Sequence, residues 1–152
     1  MPRRRRVLLF ALAALLLCLG CGFEATSGPA PVHWDRDTCE RCAMTLGSRR
    51  FAAEVRVSGE RRVHLFDDVG CALLWVEDHA SETRPAELEI WVRDAAGTSW
   101  IDAQTARFGA GHETPMGYGY GTVGADVARS IDLAELRRRL VTREDERRNR
   151  QD

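Results

Sequence analysis

The longest apolar run of the chain, residues 7–19, begins directly after the four arginines Arg3 to Arg6. Its 13 residues are too few to cross a bilayer comfortably, because a membrane-spanning helix takes about 20 apolar residues. A basic cluster followed by a short apolar run and small residues is typical of a cleaved export signal. The leader therefore cannot belong to the folded domain, which must be built from the residues behind it.

The apolar run ends at Leu19-Gly20-Cys21, a sequence that resembles a bacterial lipobox. Gly20 is small enough for the cleavage site, and Cys21 is then the residue that carries the lipid, although Cys18 stands where this motif usually has leucine. An ordinary signal peptide and an uncleaved anchor are the alternatives. Because Gly22 and not aspartate follows the cysteine, we expect the periplasmic face of the outer membrane if the cell is Gram-negative.

Cleavage before Cys21 leaves 132 residues, a length that suits one compact domain. Without the leader, 18 basic residues stand against 23 acidic ones, a net charge of about −5. Nucleic-acid binding is excluded, because it needs a basic face. We divide the chain into a signal peptide at 1–20, a flexible tether rich in Gly, Ala, Pro and Ser at 21–32, a folded domain at 33–142 and a frayed, charged tail at 143–152.

The first half of the domain has the pattern of two strands and a helix. Residues 51–57 and 62–66 are β-favouring runs, and the hairpin signal Ser58-Gly59-Glu60 separates them. Apolar residues then recur at helical spacing behind Asp67 and Asp68, which predicts an amphipathic helix with an acidic cap. This half is predicted to be a ββα unit.

The second half repeats that plan. Residues 88–93 and 98–101 predict another hairpin, and a Gly-rich loop follows at 109–121. The last helix begins at Asp132 and Glu135, which are spaced as a capping pair. Its apolar face consists of Leu133, Leu136 and Leu140. The fold class predicted is therefore α+β, a small single domain of two ββα-type units.

Sulfur-bearing side chains carry the chemistry. Apart from Cys21, the processed chain retains Cys39, Cys42 and Cys71. It retains two methionines, Met44 beside Cys42 and Met116 in the Gly-rich loop, and neither lies in an amphipathic stripe as a core methionine would. Thiolate and thioether are soft donors that select Cu(I) over harder cations. These five residues are therefore the candidate metal ligands.

Other interpretations stay open at this point. Cys39 and Cys42 could form a disulfide in an oxidising compartment or act as a redox pair. Zinc could use the three cysteines and a histidine, but it would leave both methionines unexplained. Cys71 lies in a predicted helix, where core packing is as good an explanation as ligation. The weaker candidates are His33, His64, His79 and His112.

Four motifs resemble those of the NosL family, lipoproteins that act as accessory proteins of nitrous oxide reductase. They are Cys39-x-x-Cys42-x-Met44, the segment from Phe66 to Cys71, the segment from Trp91 to Asp94, and the segment from Thr114 to Gly119. The resemblance implies a Cu(I)-binding chaperone that is not an enzyme, is held at the membrane by its lipid, and serves nitrous oxide reductase and its maturation machinery. It also implies a small α+β domain of two ββα-type units, similar to a domain of organomercurial lyase.

The same resemblance implies that Cys42, Met44 and Met116 are the Cu(I) ligands. Ala43 replaces the glycine usual in the family, and alanine would be strained there if the backbone needs a positive φ. Cys39 occurs in only some members, so its role stays open between ligand, disulfide partner and transfer thiol. A thiol–disulfide oxidoreductase acting through Cys39 and Cys42, or a zinc-binding lipoprotein, is the alternative function.

Overall fold

The computed structural model describes residues 27–80, 87–97 and 99–151. The predicted signal peptide, Cys21 and the first part of the predicted tether lie outside these residues. Six strands and two helices are present in the described part of the chain. They are β1 (Ala53–Val57), β2 (Val63–Phe66), α1 (Val69–Asp78), β3 (Leu88–Arg93), β4 (Trp100–Asp102), β5 (Arg107–Ala110), β6 (Tyr120–Val123) and α2 (Leu133–Arg148).

Both predicted hairpins form and join edge to edge. The main sheet has the order β2-β1-β3-β4, and all three pairings are antiparallel. Its centre is the contact between β1 and β3, where Val55 lies opposite Ile90. The two predicted units therefore share one continuous sheet, and the α+β fold class is confirmed.

The second unit contains a hairpin that the sequence pattern did not predict. Strands β5 and β6 pair at Gly109 and Gly121, inside the interval predicted as a loop, and form a separate two-stranded sheet. A Cβ placed on Gly109 would lie 2.7 Å from the side chain of Val123, so the close pairing requires glycine there. Glycines give no apolar alternation, which is why this hairpin was missed.

Both helices begin at the predicted aspartates. The Asp68 carboxylate accepts from the Gly70 N–H at 2.8 Å, and the Asp132 carboxylate accepts from the Glu135 N–H at 2.8 Å. Helix α2 continues to Arg148, so the first part of the interval 143–152, which was predicted to be a frayed tail, is helical. Neither helix in the described residues is long and apolar enough to cross a membrane.

Apolar residues of the sheet and both helices form one core. Its fully buried side chains include Leu46, Val55, Phe66, Leu73, Val92, Phe108, Leu136 and Leu140.

The end of the predicted tether lies against the sheet. Strand alternation puts Glu54 and Arg56 on the face opposite Val55. There the Glu54 carboxylate accepts from the Ala30 N–H at 2.7 Å, and Arg56 Nε donates to the Gly28 carbonyl at 2.6 Å. The Glu89 carboxylate accepts from the Gly28 N–H. The predicted flexible segment is thus docked from Gly28 onward.

Candidate metal centre

A tight loop presents the first two cysteines. The Cys39 N–H donates to the Met44 carbonyl at 2.8 Å, and the Ala43 N–H donates to the Cys39 carbonyl at 2.9 Å. This ring of hydrogen bonds needs a left-handed residue at its tip, and Ala43 has φ of 59°. Cys39 consequently points inward and is 1% exposed, while Cys42 is partly buried and Met44 is 50% exposed.

Two anchors hold this loop beside the start of α1. The Glu40 N–H donates to the Leu65 carbonyl of β2 at 3.0 Å. The Asp67 carboxylate, directly before the helix cap, accepts from the N–H groups of Gly47 at 3.1 Å and Ser48 at 2.9 Å. Asp67 and Asp68 therefore have separate duties: the first holds the loop, and the second caps the helix.

The first turn of α1 supplies the third thiol. Cys71 is fully buried, and the sulfur atoms of Cys39, Cys42 and Cys71 all lie within 4.8 Å of one another. None of the three forms a disulfide. Among the described residues, this trio is the group of Cys, His and carboxylate side chains arranged closely enough to hold a metal ion. The thiol cluster, as we call these three residues, thus joins segments about 30 residues apart in sequence.

Hydrogen bonding and burial shift the pKa values of the three thiols in the cluster in different directions. The hydrogen bond from the Cys71 thiol, helped by backbone N–H groups including that of Cys42, lowers the pKa of Cys39 to about 5 although burial opposes this. The same bond to Cys39, together with burial, raises the pKa of Cys71, and burial raises the pKa of Cys42. Hydrogen bonding and burial thus favour the ionised form at Cys39 and the protonated form at Cys42 and Cys71.

The loop that carries Met116 packs on the same end of α1. The Asp68 carboxylate accepts from the Met116 N–H at 3.2 Å, so the helix cap also fixes this loop. The Tyr118 ring lies directly on Gly70, where an added Cβ would be only 2.3 Å from the ring. Met116 is 36% exposed. The backbone of Met116 is thus held next to the helical turn that contains Cys71.

Two arginines link the loop that carries Cys39 and Cys42, the Met116 loop and helix α2. Arg41 Nη1 donates to the Tyr118 hydroxyl at 2.9 Å, and Arg41 Nη2 lies 3.7 Å from the buried carboxylate of Glu144 on α2. Arg143, also on α2, donates to the carbonyls of Tyr118 at 3.2 Å and Gly117 at 3.4 Å. The sequence analysis missed these supporting residues; the glycine at position 70, inside a helix pattern, was the available signal of a close approach.

The histidines do not join the cluster. His33 pairs with Asp37, and the His112 ring packs on Phe51 with its centroid 5.7 Å away. The remaining two flank the Trp75 ring: His64 lies 4.4 Å from it and His79 lies 4.2 Å from it, measured between ring centroids. The zinc alternative expected a histidine beside the three cysteines, and no histidine of the described residues belongs to that group.

Comparison with known proteins gives one informative match. No protein-family model matches the chain, and no curated protein matches it. The crystal structure of the copper chaperone NosL from Shewanella denitrificans superposes with a TM-score of 0.53 at 17% identity, covering 67% of this chain and 81% of that one. The fold is NosL-like. At this identity the match establishes the architecture, so the NosL-like fold predicted from the four motifs is confirmed.

Within the NosL-like fold, the predicted ligands lie on three segments that meet at one end of the sheet. The sulfur atoms of Cys39, Cys42 and Cys71 are brought within 4.8 Å of one another. Met44 follows Cys42 on the same loop, and the backbone of Met116 is bonded to the cap of α1. Ligation by any of the five residues stays a prediction. The anticipated strain at Ala43 is real, since its φ is positive.

Proposed function

We propose that this protein is a Cu(I)-binding metallochaperone that is exported, anchored by lipid at Cys21, and delivers copper to an extracytoplasmic copper enzyme, with nitrous oxide reductase as the expected client. The observation that carries the proposal is the thiol cluster, whose three sulfur atoms lie within 4.8 Å of one another in a NosL-like fold. The export signal and lipobox in the sequence support the location. The exposure of Met44, two residues past Cys42, and of Met116, whose N–H donates to the cap of α1, supports transfer.

The donor set favours Cu(I) over zinc. A structural zinc site is almost always tetrahedral with four N, S or O ligands. Three cysteines with no histidine in their group match a soft ion of lower coordination number. Thioether sulfur is a soft donor that suits Cu(I) and not Zn(II), so copper also accounts for Met44 and Met116, which zinc leaves without a role.

Burial favours metal binding over thiol–disulfide catalysis. The thiol with the lowered pKa, Cys39, is 1% exposed, so a substrate disulfide could not reach it. Cys39 also lies in a loop rather than at the start of a helix, where redox Cys-x-x-Cys pairs gain their reactivity. Cys39 therefore has the lowered thiol pKa that an oxidoreductase needs, but a substrate disulfide cannot reach it.

Competition for Cu(I) tests the proposal. The processed full chain is titrated with Cu(I) against a chromophoric chelator under reducing conditions, and with Zn(II) in parallel. We expect tight Cu(I) binding, a large loss in Cys42→Ser, and blocked binding after oxidation of Cys39 and Cys42. Copper transfer to copper-free nitrous oxide reductase then tests the client. A wild-type protein that cannot compete for Cu(I), or that prefers Zn(II), contradicts the proposal.

A further inference from the structure

The candidate ligands differ sharply in their access to solvent. Cys39 and Cys71 are buried, Cys42 is partly buried, and the two methionines are open. In the described part of the chain, the large apolar side chains that are exposed are Met44, Met116 and Val127. Met44 lies two residues past Cys42, and the Met116 N–H donates to the cap of the helix that carries Cys71, so both exposed thioethers belong to the loops that form the site.

We propose that the protein has two copper positions that share Cys42. The inner position consists of the thiol cluster, Cys39, Cys42 and Cys71, and it retains the ion. The outer position consists of Cys42 with the thioethers of Met44 and Met116, and through it the ion enters and leaves. This inference rests on the proposed function and assigns separate tasks to the thiolates and the thioethers.

The environment of the inner position favours retention. Thiolates are charged donors, so three of them bind Cu(I) more tightly than one thiolate with two neutral thioethers. Cys71 lies in the first turn of α1 and is fully buried, so the helix fixes its position inside the protein. An ion held there is also shielded from competing ligands in solution.

The outer position is suited to exchange. Neutral thioethers release an ion more readily than a third thiolate does, and both methionines are open to an incoming ligand. Both positions draw on the same three segments, because Met44 follows Cys42 on one loop and the Asp68 cap holds the Met116 backbone beside Cys71. The ion can therefore pass between positions without leaving Cys42.

The transfer step balances without an external reactant. As Cu(I) moves inward, two copper–thioether bonds break and two copper–thiolate bonds form, to Cys39 and Cys71. The Cys71 proton, which bridges to Cys39 in the metal-free cluster, passes to solvent. Copper stays in the +1 state, so no electron is transferred.

Selenium labelling locates the resting ion without any mutation. Removal of the leader takes Met1 away, so selenomethionine labelling puts selenium at Met44 and Met116 alone. X-ray absorption at the selenium edge of the processed full chain, loaded with one Cu(I), then reports copper bonded to either residue. We expect no copper–selenium contact at rest. Full copper coordination by selenium would place the resting ion in the outer position and overturn the inference.

Variants separate affinity from exchange. We expect Cys71→Ser and Cys71→Ala to weaken Cu(I) binding by more than about 100-fold, since even a lost second-shell partner costs 10–100-fold. We expect Met44→Leu with Met116→Leu to keep affinity within about threefold, because the three cysteines hold the resting ion and the volume-conserving swap preserves the fold. The same variant should slow copper loss to a chelator at least about tenfold. Val127→Ala, an exposed apolar side chain in the turn before α2, is the control for both measurements.

The outcomes distinguish this inference from the proposed function. Thermal melts of the metal-free variants verify folding, and Cys39→Ser replaces any Cys71 variant that does not fold. Folded cysteine variants with wild-type affinity, beside a methionine variant that loses it, overturn the inner position and leave the chaperone proposal standing. A wild-type chain that binds no Cu(I) in competition removes the proposed function and this inference together.

Discussion

Ala43 shows how one residue reports on the shape of the metal-binding loop. Its φ of 59° is a conformation that costs an L-residue about 1 kcal/mol or more. The strain was anticipated from the sequence because the similar family has glycine at this position. The structure supplies the reason: the loop closes between Cys39 and Met44, and only a left-handed residue at its tip allows both backbone hydrogen bonds.

Replacing Ala43 with glycine should therefore stabilise the protein. We expect Ala43→Gly to raise the free energy of unfolding by about 0.5–1 kcal/mol, since relief of strain outweighs the greater freedom of glycine in the unfolded chain. Urea unfolding of the metal-free protein measures it. Ala134→Gly on the exposed face of α2 is the control and should cost about 0.5–1 kcal/mol. No gain for Ala43→Gly would mean that the loop relaxes elsewhere.

Glu54 is a buried carboxyl group that makes stability depend on pH. Burial raises its pKa from 4.5 to about 7, although the Ala30 N–H and the positive charges of Arg56 and Arg93 oppose the shift. The folded pKa lies above the unfolded one, so folding favours the protonated form. The contribution is complete below about pH 4.5 and is lost as pH rises through about 7.

We expect Glu54→Gln to flatten the stability profile between pH 5 and about pH 8. At 1.4 kcal/mol for each pH unit, the raised pKa corresponds to at most about 3 kcal/mol across this range. Urea unfolding at several pH values measures the slope. Glu113→Gln, an exposed carboxyl group in the Met116 loop, is the control and should leave the slope unchanged. If the free energy of unfolding of Glu54→Gln still changes with pH in this range, another titratable group causes the dependence.

At the scale of elements, the start of α1 organises the whole site. Its cap, Asp68, bonds both to Gly70 and to the backbone of Met116, and its first turn carries Cys71. The Tyr118 ring can pack there only because Gly70 has no side chain. One helix end thus orients a thiol and a distant loop at once.

A methyl group at position 70 should push these elements apart. A Cβ on Gly70 would lie 2.3 Å from the Tyr118 ring, so we expect Gly70→Ala to lower the free energy of unfolding by about 1–3 kcal/mol, the usual cost of overpacking. Gly47→Ala is the matched control, because its Cβ would meet only Asp35 Oδ1 at 4.0 Å, and it should change stability by less than about 0.5 kcal/mol. Equal effects in urea unfolding would refute the close contact.

Over the whole molecule, the attachment point and the thiol cluster lie at opposite ends of the sheet. The docked segment begins at Gly28, beside Arg56 and Glu89. The metal-binding loops instead meet at the other end of β1, where Ala53 pairs with Phe66. Six residues from Cys21 to the first described residue span at most about 22 Å. If Cys21 carries a lipid, this length limits the distance between the Gly28 end of the sheet and the membrane.

Removal of Cys21 tests the anchor. We expect Cys21→Ala to release the protein from membranes or to leave its leader uncleaved, because no acyl chain can then be attached. Membrane fractionation and the mass of the mature chain measure this. Cys18→Leu, which puts the usual leucine of the motif at that position, is the control and should fractionate as wild type. Normal processing and membrane partition of Cys21→Ala would contradict the prediction that the protein is a lipoprotein.

Sequence patterns alone determined the local structure. Apolar spacing predicted the strands of the main sheet and both helices, and the aspartates marked where the helices begin. Side-chain chemistry identified the candidate sulfur ligands, and the family resemblance indicated the strain at Ala43. These properties depend on a residue and its neighbours within a few turns, so they can be read without knowing the fold. Where that local signal was weak, as in the glycine-rich β5–β6 hairpin, the prediction was wrong.

Tertiary structure decided how those pieces are used. Only the packing of α1 on the sheet brings Cys71 to Cys39 and Cys42, and only the Asp68 cap holds the Met116 loop beside them. The C-terminal part of α2 also depends on a contact between distant segments, because the buried Glu144 carboxylate pairs with Arg41. Contacts between segments tens of residues apart arise from side-chain packing across elements, which local periodicity does not encode. Which sulfur atoms are buried and which are open to solvent is therefore a property of the fold.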